Sequence, residues 1–163
     1  MQIRPYREND ATALFEIFQT AIHITAAADY TPAQIAAWAP PDRDPADWAR
    51  RMAALRPWVL TLDEQAIAYA SLDSTGYIDH FFVHGHHARQ GAGALLMAHT
   101  VQLAQQHNTA ALTADVSRSA QPFFARYGFC VVEQRMPVRA GVAIPNALMR
   151  KPLTPLRQPL SCA

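Results

Sequence analysis

The spacing of hydrophobic residues along the chain predicts a first helix followed by a group of short strands. Leu14, Ile17 and Phe18 recur at the helical period, so one face of this helix is expected to cover a core. A short strand over residues 2–4 precedes it. After it, β-branched and aromatic residues predict three consecutive antiparallel strands, at 58–62, 66–72 and 77–83.

The last of these strands leads into a glycine-containing loop and a long helix. Gly91 and Gly93 stand where the helix is expected to begin, and glycine lets backbone N–H groups approach a ligand closely. The N-terminus of a helix adds unpaired donors and the positive end of the helix dipole, which together favour an anion such as phosphate. The helix has a predicted apolar stripe that contains Ala92, Leu95, Leu96 and Leu103.

The place of this loop in the chain excludes two well-known phosphate-binding folds. A doubly wound dinucleotide fold has its glycine loop after the first strand, whereas here the loop follows the fourth. A Walker loop is excluded because no Gly-Lys-Ser or Gly-Lys-Thr follows. The rest of the chain adds a short helix over 120–127 and three strands, so the sequence predicts one mixed α/β domain. These strands lie at 110–116, 129–134 and 146–151.

Composition narrows the class of protein. The chain has 163 residues, enough for one sizeable core, and its 14 basic residues nearly balance 13 acidic ones. This balance argues against a general nucleic-acid binder. No apolar run approaches the roughly 20 residues of a membrane span, and the N-terminus lacks the apolar core of a signal peptide. We therefore expect a cytoplasmic protein that binds neither nucleic acid nor a membrane.

The cysteines and histidines of the chain do not form a metal-binding pattern. Cys130 and Cys162 form neither a disulfide framework nor a metal pattern, and Cys130 is expected to pack as a small hydrophobe. Histidines gather near the glycine loop, but no cysteine joins them, and Asp79 alternates to the opposite strand face from His80. We expect no metal, and we expect the histidines to rim a phosphate pocket. These histidines are His80, His84, His86 and His87.

Two motifs carry a resemblance to a known family. Val83 precedes Gly91-Ala-Gly-Ala-Leu-Leu96, and further on stands Ser117-x-x-Ala-x-x-Phe-Phe-x-x-x-Gly-Phe129. Together with the order of elements, these motifs resemble the GNAT-superfamily N-acetyltransferases over residues 3–152. The segments 30–40 and 141–149 resemble the uncharacterised bacterial YafP-like branch. The resemblance implies a single GNAT-like domain over 1–152 and a C-terminal tail over 153–163.

The resemblance also implies a fold and a co-substrate. The fold is a mixed, mostly antiparallel twisted sheet with helices on both faces and a splayed central strand pair. Acetyl-CoA is the implied co-substrate, with its pantetheine arm in the gap between the splayed strands and its pyrophosphate on the loop amides. A backbone N–H near Val83 would stabilise the oxyanion formed at the thioester. The implied coenzyme-binding residues are Phe81, Phe82, Val83, Arg89, Gln90, Gly91, Ala92, Gly93, Ala94, Ser117 and Phe124.

The chain departs from the family pattern at the catalytic positions. The usual general acid is a tyrosine at the position of Phe124, which cannot donate a proton. Tyr127 lies three residues later, about 60° around a helix, so it is a candidate acid, with simple packing as the alternative. Asp79 and His80 are candidate general bases, with a solvated carboxylate and a packed imidazole as the alternatives. The first loop position is Ala88 instead of Gln or Arg, and we expect Arg89 or Gln90 to compensate.

The expected reaction is acetyl transfer to a primary amine by direct attack on the thioester. We expect a small-molecule acceptor, because the segment before the first hairpin is long and aromatic, and Tyr30, Trp38 and Trp48 could line its pocket. One alternative is an acetyl-CoA-binding sensor or vestigial domain without turnover, which Phe124 motivates. The other is acylation of protein or peptide amines, which an acidic groove beside the cleft would support. The family resemblance also suggests a homodimer.

Overall fold

The computed structural model of the protein describes residues 1–154 as two four-stranded sheets, a small hairpin and five α-helices. The helices are α1 (Ala11–Thr20), α2 (Pro32–Trp38), α3 (Pro45–Leu55), α4 (Ala92–Gln106) and α5 (Gln121–Arg126). The strands are β1 (Gln2–Pro5), β2 (Trp58–Leu62), β3 (Gln65–Ala70), β4 (Tyr77–Ile78), β5 (Phe81–Val83), β6 (Ala111–Ser117), β7 (Cys130–Arg135), β8 (Val138–Arg139), β9 (Val142–Ala143) and β10 (Asn146–Pro152).

The two larger sheets are mostly antiparallel, which confirms the predicted fold class. The first has the order β1-β2-β3-β5 and is antiparallel throughout. The second has the order β4-β6-β10-β7, and its single parallel pair joins β4 to β6. The hairpin of β8 and β9 was not predicted, and it occupies part of the region between β7 and β10.

The strand predicted over residues 77–83 is broken in the middle. β4 pairs with β6 in the second sheet, whereas β5 pairs with β3 in the first, and Asp79 and His80 lie at the break. Ser71 holds the backbone here, because its N–H donates to the carbonyl of His80 and its hydroxyl accepts from the N–H of His80. The break separates β5 from the end of β6, so the predicted splay between these strands is present.

Helices cover both faces of the first sheet. α1, α2 and α3 contribute to one apolar cluster that includes Val59 and Tyr69, while α4 packs Ala92 and Leu96 on the opposite face. The predicted stripe of α4 is partly wrong, since the side chain of Leu95 is 47% exposed. The face that is buried runs instead through Ala92, Leu96, Met97, Thr100 and Ala104. The threonine tolerates burial because its hydroxyl donates to the carbonyl of Leu96.

Several local signals produced the structure that was predicted from them. The hydroxyl of Thr31 accepts from the N–H of Gln34, and the side chain of Gln34 accepts in return from the N–H of Thr31, which is a capping box. The carboxylate of Asp44 caps α3. The prediction for Cys130 was wrong, because this residue is exposed on the edge strand β7.

The end of the described chain joins the second sheet. Leu153 donates its N–H to the carbonyl of Ala110 and packs against the apolar cluster beneath that sheet. Residues 155–163 of the predicted tail, including Cys162, lie outside the described residues. The predicted division at residue 152 stays a prediction. Within residues 1–154, no helix combines the length and the apolar character needed to cross a membrane.

Candidate active site

A cavity of about 530 Å³ lies in the gap between β5 and the end of β6. Phe81, Phe82 and Val83 line it from β5, and Ser117 lines it from β6. The N-terminal turn of α4 and the whole length of α5 form further walls. The segment just after α1, residues 21–26, lies opposite, where the helix continues as one wide turn. We call this space the coenzyme-side cavity.

The register of β5 leaves two backbone amides free to face this gap. In an antiparallel pair, only alternate residues hydrogen-bond to the neighbouring strand. His84 donates its N–H to Ile67, and His80 accepts from Ser71, so Phe82 is the bonded residue between them. The N–H groups of Phe81 and Val83 therefore point away from β3, toward the gap. An extended ligand in the gap would meet them as a neighbouring strand does.

The glycine loop forms one end of the same cavity. Gly91 has a φ of +89° and begins α4, and the first N–H groups of that helix have no capping side chain. A Cβ at Gly91 would meet no atom within 4 Å, whereas one at Gly93 would lie 3.2 Å from the ring of Phe123. Gly91 thus keeps its surface open, and Gly93 allows α4 to approach α5.

The remaining loop residues of the predicted coenzyme site fall into two groups. Arg89 and Ala94 line the cavity together with both glycines. Gln90 does not line it, and its side chain donates to the carbonyl of His86. Ala92 is also absent from the lining, because its side chain is buried in the core below the first sheet. The side chains of these two residues therefore do not face the cavity.

Phe124 of α5 and Tyr127, which directly follows that helix, both line the coenzyme-side cavity. Phe124 is 3% exposed and packs edge-on against Phe81, with ring centroids 5.5 Å apart. Tyr127 is half-buried, and its ring lies 4.9 Å from that of Phe123. The hydroxyl of Tyr127 has no hydrogen-bond partner within residues 1–154.

A second cavity, of about 380 Å³, adjoins the first. Trp38, Phe82 and Ser117 line both cavities, so the two spaces meet at the end of the splayed strands. The lining of the second cavity is mostly polar and carries arginines and aspartates, in contrast to the apolar first cavity. We call it the acceptor-side cavity.

Asp79 and His80 both line the acceptor-side cavity, although strand alternation had placed them on opposite faces. The break between β4 and β5 explains the difference, because it lets Arg51 of α3 contact both side chains. Arg51 donates to the carboxylate of Asp79 at 2.9 Å and to Nε2 of His80 at 3.3 Å. Asp79 is exposed, whereas His80 is only 6% exposed.

The imidazole of His80 is held as a neutral group. Nδ1 lies 3.0 Å from the hydroxyl of the fully buried Tyr69, and the ring packs among Phe18, Trp48 and Phe82. Burial, with further effects from nearby arginines, lowers the pKa of His80 to about 3. Because Arg51 donates to Nε2, that nitrogen carries the lone pair and Nδ1 carries the proton. Both ring nitrogens already have partners, so this histidine is poorly placed to accept a proton.

The aromatic residues predicted to line the acceptor pocket lie in different places in the structure. Trp38 is half-buried and lines both cavities. Tyr30 lines the acceptor-side cavity with its ring, but its hydroxyl donates to the carbonyl of Pro145 and accepts from the N–H of Arg118. Trp48 lines neither cavity, because it is 2% exposed in the core and donates to the carbonyl of Ala11. The expectation for Trp48 was therefore wrong.

The other histidines do not form the expected rim. None of His84, His86 and His87 is among the residues that line either cavity. His84 instead caps the turn that follows it, with Nδ1 accepting from the N–H of His86. Within residues 1–154, no group of three His, Cys, Asp or Glu side chains is arranged to hold a metal ion.

Sequence reasoning missed the charged residues of the acceptor-side cavity. Arg43 comes from the α2–α3 loop, Arg51 from α3 and Arg139 from β8, while Tyr77 and Asp115 come from neighbouring strands. Of these residues, only Tyr77 and Asp115 could have been brought together from the sequence, because a parallel pairing of β4 with β6 places both side chains on one face of the sheet. The arginines are separated by up to 96 positions in the chain and meet only in the folded protein.

The chain matches a known protein family over most of its length. The acetyltransferase (GNAT) domain family matches residues 26–149. The uncharacterized N-acetyltransferase YafP of Escherichia coli K12 is 34% identical over 150 residues, which cover 92% of this chain and 95% of that protein. A GCN5-related N-acetyltransferase structure from Rhodopseudomonas palustris is 30% identical with a TM-score of 0.88, covering 93% and 95% of the two chains.

Two more distant structures share the fold. YncA of Salmonella typhimurium, solved with acetyl-CoA, has a TM-score of 0.67 at 22% identity and covers 99% of each chain. The PaiA N-acetyltransferase of Thermoplasma acidophilum, solved with coenzyme A, has a TM-score of 0.70 at 14% identity. It covers 93% of this chain and 98% of its own. At these identities the likeness concerns the fold.

The neutral state of His80 predicts a pH dependence of stability. In the unfolded chain this imidazole titrates near 6.5, and in the folded protein near 3, so the unfolded state binds the extra proton between these values. The resulting stabilisation is present above pH 6.5 and is lost as the pH falls. From pH 7 to pH 5 it should amount to about 2 kcal/mol.

Urea unfolding at pH 7 and pH 5 measures this effect. His80→Gln should lower stability at pH 7, yet it should lose about 2 kcal/mol less than wild type on acidification. His107→Gln, at an exposed position, is the matched substitution, and its pH dependence should follow wild type. An equal acid-induced loss in wild type and His80→Gln would contradict the assignment.

Proposed function

Since the chain belongs to the GNAT family and is an acetyl-CoA-dependent N-acetyltransferase, we propose that it acetylates the primary amine of a small molecule. One observation carries this proposal, namely that an apolar cavity and a charged cavity meet beside Phe82 and Ser117. The first suits the pantetheine arm of a coenzyme, and the second suits a polar acceptor. Their junction is where a thioester and an amine would come together.

The proposed chemistry is a direct attack. The lone pair of the amine adds to the thioester carbonyl carbon, which forms the C–N bond and a tetrahedral oxyanion. The nitrogen of this adduct then loses a proton, the C–S bond breaks as the carbonyl re-forms, the amide is released, and the thiolate of coenzyme A takes up a proton. The free N–H of Val83 is the proposed donor to the oxyanion, because β5 leaves it directed into the gap. No nucleophile of the protein takes part.

The glycine loop and the first turn of α4 are the proposed pyrophosphate cradle. Support comes from the positive φ of Gly91, the uncapped amides of α4 and the presence of Arg89 in the lining. The structurally similar proteins from Salmonella and Thermoplasma were solved with acetyl-CoA and coenzyme A. Gln90 and Ala92 would contribute backbone groups only, because their side chains are directed elsewhere. Phe81 and Phe124 would contact the apolar part of the coenzyme.

Tyr127 is the proposed general acid that protonates the leaving thiolate. Its hydroxyl has no partner in the described part of the chain, and its ring lines the coenzyme-side cavity. Phe124, at the usual tyrosine position, has no proton to give. Ser117 also lies at the junction of the cavities, and its hydroxyl is a second group through which a proton could pass.

Asp79 is the proposed general base, acting directly or through water on the attacking amine. Of the two candidates it is the better placed, because its exposed carboxylate lines the acceptor-side cavity, whereas both ring nitrogens of His80 already have partners. His80 is proposed instead to position Arg51, since Nε2 accepts from that guanidinium. Arg51 in turn holds the carboxylate of Asp79.

The size of the acceptor-side cavity supports a small-molecule acceptor. Its volume of about 380 Å³ lies in the range typical of small-ligand sites. Trp38 borders it on one side, and Pro137 and Arg139 border it at the hairpin. The lining carries three arginines and two aspartates, so it is not the acidic groove that a protein-amine acceptor would favour.

An amine panel tests the proposed function. The protein is incubated with acetyl-CoA and diverse small primary amines, and free thiol is followed together with the acetylated product. We expect thiol release that depends on a particular amine. Tight acetyl-CoA binding without thiol release from any amine would favour a coenzyme-binding domain, as Phe124 would allow. Release with peptides alone would favour a protein-amine acceptor.

Substitution at Gly91 tests the cradle. Gly91→Val should raise the dissociation constant for acetyl-CoA by about 100-fold or more, because a side chain would occupy the space where the phosphate approaches the backbone. Gly141→Val is the matched control, since Gly141 also has a positive φ and no atom within 4 Å of its Cβ position. Both variants carry the same backbone strain. Equal coenzyme affinity in the two variants, measured by calorimetry, would remove Gly91 from the site.

Substitution at Tyr127 tests the general acid. Tyr127→Phe should lower kcat by about 100-fold and leave the affinity for acetyl-CoA nearly unchanged, because only the proton donor is lost. Tyr6→Phe, which removes the hydroxyl of a tyrosine that lines neither cavity, is the control. Steady-state kinetics with the best amine of the panel provide the measurement. An unaltered kcat would exclude Tyr127 and direct attention to Ser117.

A further inference from the structure

We infer that the amine acceptor also carries an anionic group, a carboxylate or a phosphate, which Arg43 and Arg139 bind in the acceptor-side cavity. This inference rests on the proposed function, because it names the chemistry of the acceptor that the cavity holds. It goes beyond that function by dividing the cavity into two parts. One part lies at the junction and receives the amine, and the other presents two guanidinium groups that have no carboxylate partner within residues 1–154.

The carboxylates that line the cavity form ion pairs with other arginines, and not with Arg43 or Arg139. Of the charged groups in the lining, Asp79 pairs with Arg51, and Asp115 pairs with Arg135 at 2.9 Å. Asp115 also accepts from the hydroxyl of Tyr77. Each of the two carboxylates thus already has an arginine partner other than Arg43 or Arg139. Within residues 1–154, no carboxylate lies within salt-bridge distance of Arg43 or Arg139.

Arg43 is held in position even though it has no acidic partner. Its guanidinium carbon lies 5.5 Å from the ring centroid of Phe18 and 5.7 Å from that of Trp48, so two aromatic rings of the core support it. The residue is half-buried. A guanidinium that is partly removed from water and fixed by aromatic rings is already arranged for a planar anion.

Arg139 reaches the cavity from a different part of the fold, the hairpin of β8 and β9. It ends β8, directly before the turn of the hairpin, and it lines the acceptor-side cavity while remaining exposed. The pairing of β8 with β9 fixes its backbone, since Arg139 lies opposite Val142. An acceptor in this cavity would meet guanidinium groups from two separate elements, the α2–α3 loop and this hairpin.

The electrostatics of neighbouring groups agree with a positive cavity. Arg51, Arg43 and Arg139 all act to lower the pKa of the His80 imidazole, after the larger effect of burial. Burial, followed by Arg51 and Arg139, likewise lowers the pKa of Arg43. A substrate ammonium would meet the same repulsion. An amine that brings its own anion offsets this repulsion, and the positive field favours the unprotonated amine that the attack requires.

The two arginines are separate from the proposed coenzyme cradle. Arg89 and Arg126 line the coenzyme-side cavity, and neither lines the other cavity. Arg43 and Arg139 line only the acceptor-side cavity. An anion bound between them would therefore be a part of the acceptor, and the phosphates of the coenzyme would lie at the glycine loop.

Matched pairs of amines test the inference. The pairs are L-leucine with L-leucinamide, L-phenylalanine with L-phenylalaninamide, and O-phosphoethanolamine with ethanolamine. Each is assayed for thiol release at saturating acetyl-CoA, and rates are compared at equal concentrations of unprotonated amine. We expect kcat/KM to be about tenfold or more higher for the anionic member of at least one pair. The pair that shows the preference distinguishes a carboxylate from a phosphate.

Variants identify the residues responsible. Arg43→Gln and Arg139→Gln should each reduce the preference for the anionic member by about tenfold, mainly through KM, and leave the KM for acetyl-CoA unchanged. Arg43→Lys should keep more of the preference than Arg43→Gln because it retains the charge. Arg50→Gln is the matched control, since Arg50 is exposed on α3 and lines neither cavity. Arg139→Gln lies on an exposed strand and remains informative if Arg43→Gln folds poorly.

A binding measurement separates failure of this inference from failure of the proposed function. N-acetyl-L-leucine and N-acetyl-L-leucinamide are titrated by calorimetry into the protein loaded with coenzyme A. Turnover with neutral amines equal to or above that with anionic ones would overturn the inference and leave the function intact. A preference that persists in the double Gln variant would also overturn it. If no amine releases thiol, the proposed function fails, and equal affinity for the two N-acetyl compounds would then overturn the anion site as well.

Discussion

The break between β4 and β5 is the constraint on which the rest of the site depends. A continuous strand over residues 77–83 would pair along its whole length with β6 and close the gap. The hydrogen bonds of Ser71 to both backbone groups of His80 direct the chain into the first sheet instead. His80 is then buried among aromatic rings, its nitrogens are paired with Tyr69 and Arg51, and Arg51 is placed against Asp79. Both the coenzyme-side cavity and the acceptor-side cavity thus result from the point at which the chain stops pairing with β6 and begins to pair with β3.

The apolar core is organised around the same break. One cluster lies between α1, α2, α3 and the first sheet, and another lies beneath the second sheet with α5. Phe82 packs against the first cluster, and Phe81 packs against the second. Adjacent residues of a strand point to opposite faces, so a three-residue strand contributes to two cores. This arrangement holds the walls of the gap apart without filling it.

The sequence was informative wherever the determining interactions are local. The capping box of Thr31, the cap formed by Asp44 and the glycines at the start of α4 depend on residues within a few positions, and two motifs together with the order of elements were sufficient to suggest the family. The break at Asp79 and His80 could not be predicted, because its cause is a contact with Ser71, which follows β3. The stripe of α4 was misplaced because a buried Thr100 reads as polar until its bond to Leu96 is seen. Arg43, Arg51 and Arg139 were missed for the same reason as the break, since long-range folding alone brings them together.

The free edge of β5 links the stability of the protein to the supply of its coenzyme. A coenzyme bound as proposed, paired with the amides of Phe81 and Val83, would complete the sheet at the point where the protein leaves it incomplete. Such a ligand binds the folded state alone, so at about 100 times its dissociation constant it would add about 2.7 kcal/mol to the free energy of unfolding. At a low concentration of acetyl-CoA the fraction of unfolded molecules would be higher, and with it exposure to proteases. The lifetime of the enzyme in the cell would then follow the metabolic state that its reaction draws upon.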